Sequence, residues 1–342
     1  MTAARPFAHL HSRQRAHGRS LLELMVALII GMIILGAVLL TSISGNSSSK
    51  RQDGVATLNE DAQVAANLLG GHLRIAGYSR IVGIPSPTTN APFRNYEGPG
   101  VRGCDGGVDD DSVGMNGMVC SGGNGPDALM VAYEGDAFNT FPTAGAPANP
   151  TDCLGQALTL PDTPQTPSEG AVGTNYWLVE NIFYVNNDNE LVCSGNGDPG
   201  REQPLIGNVV DMQVTYGVAD VPTAAAVTEG QPETPFFEAA RYMTAQQIDQ
   251  LAPFPATALP VLRGRWNRVV SVRVCLVLRS AEELYDQITP YPGCDGVSIN
   301  PPDRRAYRAV TITRAIKNKT APCADAAAAP GAVAAIADRC AF

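Results

Sequence analysis

The longest apolar run of the chain lies close to its start. From Leu21 to Leu40 every residue is apolar or glycine except Glu23. A run of about 20 apolar residues can cross a bilayer as a helix. A carboxylate near the centre of a membrane helix costs roughly 2.5 to 3.5 kcal/mol, so Glu23 either lies at the interface or has a partner in the membrane. The pattern predicts a membrane-spanning helix with one acidic residue near its beginning.

The helical pattern continues beyond the apolar run, but only one face stays apolar. Apolar residues recur three and four positions apart between residues 55 and 76, which predicts a single stripe along an amphipathic helix. The stripe consists of Val55, Leu58, Ala62, Ala65, Leu69, Leu73 and Ala76. We therefore expect one long helix whose second half packs against a sheet.

Strand patterns follow the helix. The predicted strands are 128–133, 176–185, 191–193, 208–218, 269–280 and 307–316, with "NNDNE" (186–190) as a hairpin turn. Alternation is clearest in 269–280, where Val270, Val272, Val274, Leu276 and Leu278 share one face and Ser271, Arg273, Cys275 and Arg279 share the other. Short turns between strands predict an antiparallel sheet, half buried against the helix, and an α+β fold.

Charge supports a membrane orientation and argues against nucleic acid as a partner. The formal net charge is −9, and residues 1–18 carry three arginines and no acid, so a chain without them would have a charge of −12. Basic residues before the apolar run predict a cytoplasmic N-terminus and a body on the other side of the membrane. An acidic body lacks the lysines and arginines that phosphate backbones require.

The eight cysteines all follow the apolar run. This segregation, together with the absence of any C-x-x-C pair, favours disulfides in an oxidising compartment over a zinc site. Eight cysteines allow about 105 pairings. The sequential pairing closes short loops and is our prediction: Cys104–Cys120, Cys153–Cys193, Cys275–Cys294 and Cys323–Cys340.

The stretch "GRSLLELMVAL" resembles the prepilin cleavage motif of the type IV pilin family. Members carry a short basic leader ending in glycine, then a cleavage point, then an apolar helix with glutamate at its fifth mature position. By this resemblance Gly18 ends the leader, Arg19 becomes the mature N-terminus and site of N-methylation, and Glu23 is the fifth residue. The family usually has phenylalanine where this chain has Arg19.

The resemblance also implies a role for Glu23 and a division of the chain. In the family, the glutamate of one subunit pairs with the new α-amino group of a neighbour and sets the register between helices. The implied segments are a cytoplasmic leader (1–18), a transmembrane part of the helix (19–44), its amphipathic continuation (45–80), a variable Gly/Pro-rich insertion (81–170) and a C-terminal antiparallel sheet with disulfide-linked loops (171–342). The order of the later segments, including "VENIFYV" and "VVSVRVCLVLRS", is similar to PilW-type minor pilins.

Candidate catalytic and metal-ligating residues are few. Three of the four histidines, His9, His11 and His17, precede Gly18, and we expect the remaining His72 to be a solvated helical residue. Nucleophile-elbow and Walker A motifs are absent from the sequence. No cofactor is therefore expected.

One acidic loop, "CDGGVDDDSVGMNG", is a weak calcium candidate. Its carboxylates are Asp105, Asp109, Asp110 and Asp111, but the alternating spacing of an EF-hand is missing. We favour a solvated loop beside a disulfide, since six or more oxygens would have to converge on the ion.

Three functions are compatible with these features. The first is a minor pilin that helps to prime or cap a type IV pilus, with the other minor pilins and the major pilin, prepilin peptidase, the inner-membrane assembly platform and a tip adhesin as its expected partners. The second is a pseudopilin of a type II secretion system, which has the same kind of N-terminus. The third, a membrane-anchored periplasmic enzyme, is disfavoured by the missing histidines and motifs.

Overall fold

A computed structural model of the chain describes residues 20–83, 93–96, 98–112, 114–144, 148–161, 175–219, 238–251 and 264–319. The chain divides into two units, Met1–Asp53 and Gly54–Phe342. The first helix, α1, begins at Leu21 and ends at Ile75, so it contributes to both units.

In the first unit, α1 is helical throughout its apolar run. Ser20 starts the helix: its hydroxyl accepts a hydrogen bond from the Leu22 amide at 3.3 Å and its carbonyl accepts one from the Leu24 amide at 3.2 Å. The segment Leu21–Ser42 is long and apolar enough to cross a membrane, and none of it is buried within the structure. This agrees with the helix predicted from the apolar run.

In the second unit, α1 packs through the predicted stripe. Leu58, Ala62, Ala65, Leu69, Leu73 and Ala76 are all buried in the main core, and Val55 packs at its margin. The helix ends where Gly77 adopts a positive φ of 70° and donates its amide hydrogen to the Ala132 carbonyl at 2.8 Å. The stripe is therefore confirmed residue by residue.

The rest of the described structure contains thirteen strands and one short α-helix. They are β1 (Ile81–Gly83), β2 (Phe93–Arg94), β3 (Val101–Cys104), β4 (Ala128–Gly135), β5 (Trp177–Val185), β6 (Glu190–Gly195), β7 (Glu202–Gly207), β8 (Val209–Val218), β9 (Arg241–Met243), α2 (Ala245–Asp249), β10 (Val269–Glu283), β11 (Tyr291–Pro292), β12 (Ser298–Ile299) and β13 (Arg305–Ala315). Two short 3₁₀ helices span Arg265–Arg268 and Lys317–Lys319.

The strands form two main antiparallel sheets. One has the order β3-β4-β5-β6-β7 and the other the order β13-β10-β8-β9, while β1-β2 and β11-β12 are separate pairs. Side chains from both main sheets join those of α1 in the main core. The fold is thus α+β, with the part of α1 in the second unit packed on antiparallel sheets.

Two predicted strand features are confirmed. The "NNDNE" turn joins β5 to β6, with Asn189 at a positive φ of 59°. In β10, Val272, Val274, Leu276 and Leu278 alternate into the main core. The predicted alternation fails at Val270. A register shift between Val269 and Ser271 places Val269 in the main core instead of Val270.

The region from 81 to 170 contributes more to the fold than an insertion would. Its strands β3 and β4 form one side of the five-stranded sheet, and β4 pairs with β5 from Leu129 to Gly135. The expected single sheet of 171–342 is correspondingly split between two sheets. Strand β3 gives no alternation signal because it is four residues long and contains Gly103, whose added Cβ would meet the Ala128 carbonyl oxygen at 2.8 Å.

A second, smaller core covers the outer face of this sheet. Alternate residues of β4 point to opposite sides: Leu129, Val131 and Tyr133 belong to the main core, whereas Ala128, Met130 and Ala132 belong to the second. Met115 and Met118, from the loop between β3 and β4, complete the second core. The sheet is therefore buried on both faces in this region.

Candidate functional site

The N-terminal motif carries the strongest functional signal, and the structure describes it from Ser20 onward. Gly18 and Arg19 lie outside the described residues. Glu23 lies in the first turn of α1 and is exposed. A carboxylate in a first helical turn interacts favourably with the helix dipole, by about 0.3 to 1 kcal/mol at an exposed site.

The surface around Glu23 is almost wholly apolar. The large side chains between Leu21 and Leu40 expose 47% to 77% of their area. An exposed apolar surface of this extent requires a membrane or other apolar helices to cover it. Because Glu23 is the only charged residue in this run, it is the one side chain there that could form an ion pair with a neighbour.

Three disulfides link loops to strands in the second unit. The bonds are Cys104–Cys120, Cys153–Cys193 and Cys275–Cys294, which are the pairs of the sequential arrangement. Cys323 and Cys340, the fourth predicted pair, lie outside the described residues. Each observed bond closes a loop of moderate length and so restricts the unfolded chain.

The acidic loop does not form a metal site in the part of the chain that the structure describes. Asp105 accepts hydrogen bonds from the amides of Ala245 and Gln246 at 2.9 Å. Asp110 accepts from the amide of Ser112 at 2.9 Å, and Asp111 accepts from the Tyr184 hydroxyl at 3.1 Å. These carboxylates have separate partners instead of converging on one ion.

His72 differs from the sequence prediction of a solvated residue. Its ring lies 4.8 Å from that of Phe183, and its Nδ1 is enclosed without a hydrogen-bond partner. Burial lowers the pKa of the imidazole to about 4. The prediction was wrong because His72 borders the buried stripe, directly before Leu73, on the side that faces β5.

Sequence reasoning missed a buried carboxylate, Glu134, at the end of β4. Its Oε2 accepts hydrogen bonds from the Ser79 hydroxyl at 2.8 Å and the Arg80 amide at 2.7 Å, and its Oε1 accepts from the Asn95 side-chain amide at 2.9 Å. Arg80 Nε lies 3.7 Å from Oε1. Glu134 thus ties the chain that leaves α1 to the five-stranded sheet. Its partners lie 39 to 55 residues away, and no local pattern reveals them.

A second buried carboxylate, Asp127, lies between the sheets. It accepts hydrogen bonds from the amides of Val214 at 2.7 Å and Gly106 at 3.0 Å. Burial raises the pKa of Asp127 to about 6, even though both hydrogen bonds favour the ionised form. These contacts are structural: they fix the beginning of β4 against β8.

Comparisons with known proteins agree with the N-terminal motif. Residues 13–39 match the prokaryotic N-terminal methylation motif, and residues 180–318 match the family of type IV pilus-assembly protein W, PilW. None of the curated proteins matches the chain.

Among solved structures, a type IV-like pilin from Thermus thermophilus is similar over 77% of this chain and 98% of its own, at 11% identity and a TM-score of 0.33. A similarity this weak does not establish a common fold, so the assignment rests on the two family matches. Those matches cover the apolar helix and the strands from β5 to β13. The chain is thus type IV pilin-like, with a methylation motif at residues 13–39 and similarity to the PilW family over residues 180–318.

Proposed function

We propose that the chain is a minor pilin, a non-enzymatic subunit that helps to prime or cap a type IV pilus after cleavage between Gly18 and Arg19. The observation that carries this proposal is the methylation motif at residues 13–39, which leads directly into an exposed apolar helix with one carboxylate. A subunit with these features is held in the membrane before assembly and by neighbouring helices after it.

Cleavage would create the partner that Glu23 lacks on its own helix. The new α-amino group of Arg19 would lie at the start of the apolar helix, where an unpaired charge is costly. When two subunits dock, the carboxylate of one and the amine of the other compensate each other in a medium of low dielectric constant. The pair thereby selects one axial register between the helices.

The same features indicate how the subunit reaches the fibre and which proteins it binds on the way. The basic leader stays in the cytoplasm and the disulfide-containing body lies in the periplasm, from where the subunit enters the fibre. The partners are prepilin peptidase and the assembly platform during processing, then other minor pilins and the major pilin through α1. An adhesin at the fibre tip is a further candidate partner for the exposed parts of the body.

A non-enzymatic role is supported by the environment of His72. It is the one histidine after Gly18, and its enclosed Nδ1 and lowered pKa make it a poor proton carrier at neutral pH. The buried carboxylates Glu134 and Asp127 are held by backbone and side-chain donors within the fold.

The experiment is complementation of a deletion strain with the full chain carrying Glu23→Ala, compared with Glu60→Gln. Glu60 is an exposed acid on the same helix and serves as the matched control. We expect the Glu23→Ala protein to be made and cleaved normally. The number of surface pili should fall at least about tenfold, because the α-amino group of Arg19 in the neighbouring subunit would lose its partner. Normal pilus numbers, with a defect in protein secretion instead, would indicate the secretion-system pseudopilin.

A further inference from the structure

The sequence contains three places where glycine directly follows asparagine: Asn116–Gly117, Asn124–Gly125 and Asn196–Gly197. Such a pair is chemically labile, because the backbone nitrogen of glycine is not shielded by a side chain and can attack the asparagine side chain. The attack requires an asparagine side chain that can turn toward the main chain and an amide nitrogen without another partner. The fold therefore decides which of the three pairs reacts.

The pair Asn124–Gly125 lies in the loop between Cys120 and β4. Asn124 is exposed and Gly125 is half-buried. Among the described residues, no hydrogen-bond partner contacts the Asn124 side chain or the Gly125 amide. Just before them, Gly122 and Gly123 have positive φ values of 71° and 103°, and a Cβ added to either would meet no atom within 4 Å. Such a backbone changes its dihedral angles easily, so the side chain and the amide can approach each other.

The pair Asn116–Gly117 is accessible, but its amide nitrogen is engaged. Both residues are exposed. The Gly117 amide donates a hydrogen bond to the Gly114 carbonyl at 2.9 Å, which closes a turn. This nitrogen must leave its acceptor before it can attack, so the reaction carries an additional cost here.

The pair Asn196–Gly197 is held by both its side chain and its amide. Asn196 Oδ1 accepts a hydrogen bond from the Glu180 amide at 3.0 Å, and Asn196 Nδ2 donates to the Leu178 carbonyl at 2.8 Å. The Gly197 amide donates to Asp152 Oδ2 at 3.0 Å. All of these hydrogen bonds would have to break before the side chain could meet the amide. This pair is therefore the internal reference for an unreactive site.

We propose that Asn124 is a site of spontaneous deamidation in the folded protein. The Gly125 nitrogen loses its proton to hydroxide and attacks Cγ of Asn124. A new N–Cγ bond forms, the bond from Cγ to the side-chain nitrogen breaks, and that nitrogen takes a proton from water and leaves as ammonia. Water then opens the cyclic imide at either carbonyl. One opening leaves aspartate, and the other leaves isoaspartate, in which the main chain runs through Cγ.

The product differs from the original chain in charge and in backbone length. Either opening adds one negative charge, and isoaspartate also adds one carbon atom to the main chain. The change lies shortly before Asp127, whose carboxylate is held by two backbone amides at the beginning of β4. The Gly125 carbonyl also accepts a hydrogen bond from the Gln213 side chain on β8 at 3.5 Å. This inference depends on the fold alone and is independent of leader cleavage and of a role in pili.

The test is peptide mapping by mass spectrometry of the purified full chain, kept in detergent and incubated in a mildly alkaline buffer of water labelled with a heavy oxygen isotope. We expect labelled aspartate and labelled isoaspartate in place of Asn124. Isoaspartate is identified by its fragment ions, and it forms only through the cyclic imide. Asn116 should convert about five- to tenfold more slowly than Asn124, and Asn196 at least about a hundredfold more slowly, according to the hydrogen bonds that must break.

Two variants and one condition separate the chemistry from the local sequence. Gly125→Ala places a methyl group beside the attacking nitrogen and should slow conversion of Asn124 at least about tenfold. The fold accepts this change, since the nearest neighbour of the added Cβ, the Gly106 carbonyl oxygen, lies at 3.7 Å. Asn124→Gln should give almost no product, because its side chain would have to close a six-membered ring. Unfolding of the reduced chain in denaturant should bring the three asparagines to similar rates.

Several results would overturn the proposal. One is conversion of Asn116 or Asn196 in the folded chain as fast as conversion of Asn124. Another is aspartate without isoaspartate, or a rate at Asn124 that Gly125→Ala does not change. A third is an order of rates that persists in the unfolded chain, because local sequence and not the fold would then determine the order.

Discussion

At the scale of single residues, the second unit depends on buried charges that are fully partnered. Glu134 satisfies both carboxylate oxygens with donors from two segments, Ser79–Arg80 and Asn95. Asp127 accepts from one amide in β8 and one in the loop after β3. Burying a carboxylate is costly unless such donors surround it. His72 is the contrasting case, since it is enclosed without a hydrogen bond to Nδ1 and stays neutral.

Replacing Glu134 by alanine should lower the free energy of unfolding by about 2 to 4 kcal/mol, because Ser79, Arg80 and Asn95 would lose their acceptor inside the fold. Glu60→Gln on the exposed face of α1 should change it by less than about 0.5 kcal/mol. Denaturant titration of the full chain in detergent, followed by the fluorescence of Trp177 and Trp266, measures both. Equal stabilities of the two variants would refute the role assigned to Glu134.

The pKa shifts of His72 and Asp127 predict opposing pH dependences. The pKa of His72 falls from 6.5 to about 4 on folding, so the unfolded chain binds more protons in this window and stability rises from pH 4 to pH 6.5. The pKa of Asp127 rises from 3.8 to about 6, so its contribution is present below pH 3.8 and is lost as the pH rises to 6. The effect is at most about 3.5 kcal/mol for His72 and about 3 kcal/mol for Asp127.

The two effects can be separated by substitution. His72→Phe leaves the Asp127 contribution unopposed, so that variant should lose stability between pH 4 and pH 6. Asp127→Asn leaves the His72 contribution, so that variant should gain stability over the same range. Denaturant midpoints at pH 4, 5 and 6 report the slopes. Parallel slopes for both variants and the parent chain would show that neither group titrates as described.

At the scale of elements, the sequence predicted those helices and strands that have a clear periodicity of apolar residues. The stripe of α1, the β5–β6 hairpin and the inward face of β10 all came from local patterns, which act over a few residues. The division into two sheets did not, because it depends on β4 pairing with β5 across a long connection. Strand β3 was missed for the same reason, because its defining contacts are with β4 and are not local.

The α1 stripe gives a direct test at this scale. Leu69→Ala removes a fully buried side chain and should lower the free energy of unfolding by about 3 to 5 kcal/mol. Val64→Ala lies on the same helix at a position that is 51% exposed, and it should cost less than about 0.5 kcal/mol. Thermal or denaturant unfolding of the detergent-solubilised chain distinguishes them. Similar losses for the two variants would be incompatible with the observed packing face.

The disulfides allow a comparison between two loops of similar length. Cys104–Cys120 and Cys275–Cys294 span 16 and 19 residues, so loop entropy alone predicts nearly equal losses of about 3 kcal/mol. The first bond also holds the loop that carries Met115 and Met118 over the second core. Cys104→Ala/Cys120→Ala should therefore destabilise more than Cys275→Ala/Cys294→Ala in unfolding experiments. The reverse order would mean that the second core contributes little.

At the scale of the whole molecule, the N-terminal motif could be identified from sequence because its glycine, its apolar run and the Glu23 spacing all lie within about 30 consecutive residues. The exposure of individual side chains in the second unit could not be predicted from sequence, since only the folded chain shows it. Removal of residues 1–18 would also take three positive charges from the chain and leave a strongly acidic subunit.

The most direct test of the central claim is the N-terminal sequence and intact mass of the protein from cells with and without prepilin peptidase. We predict a chain that begins at Arg19 in the first case and at Met1 in the second. If the mass of the cleaved chain is higher by one methyl group located on Arg19, the motif at residues 13–39 also directs methylation. A chain that keeps its leader in the presence of the peptidase, or is cut elsewhere, would contradict the assignment of Gly18, Arg19 and Glu23.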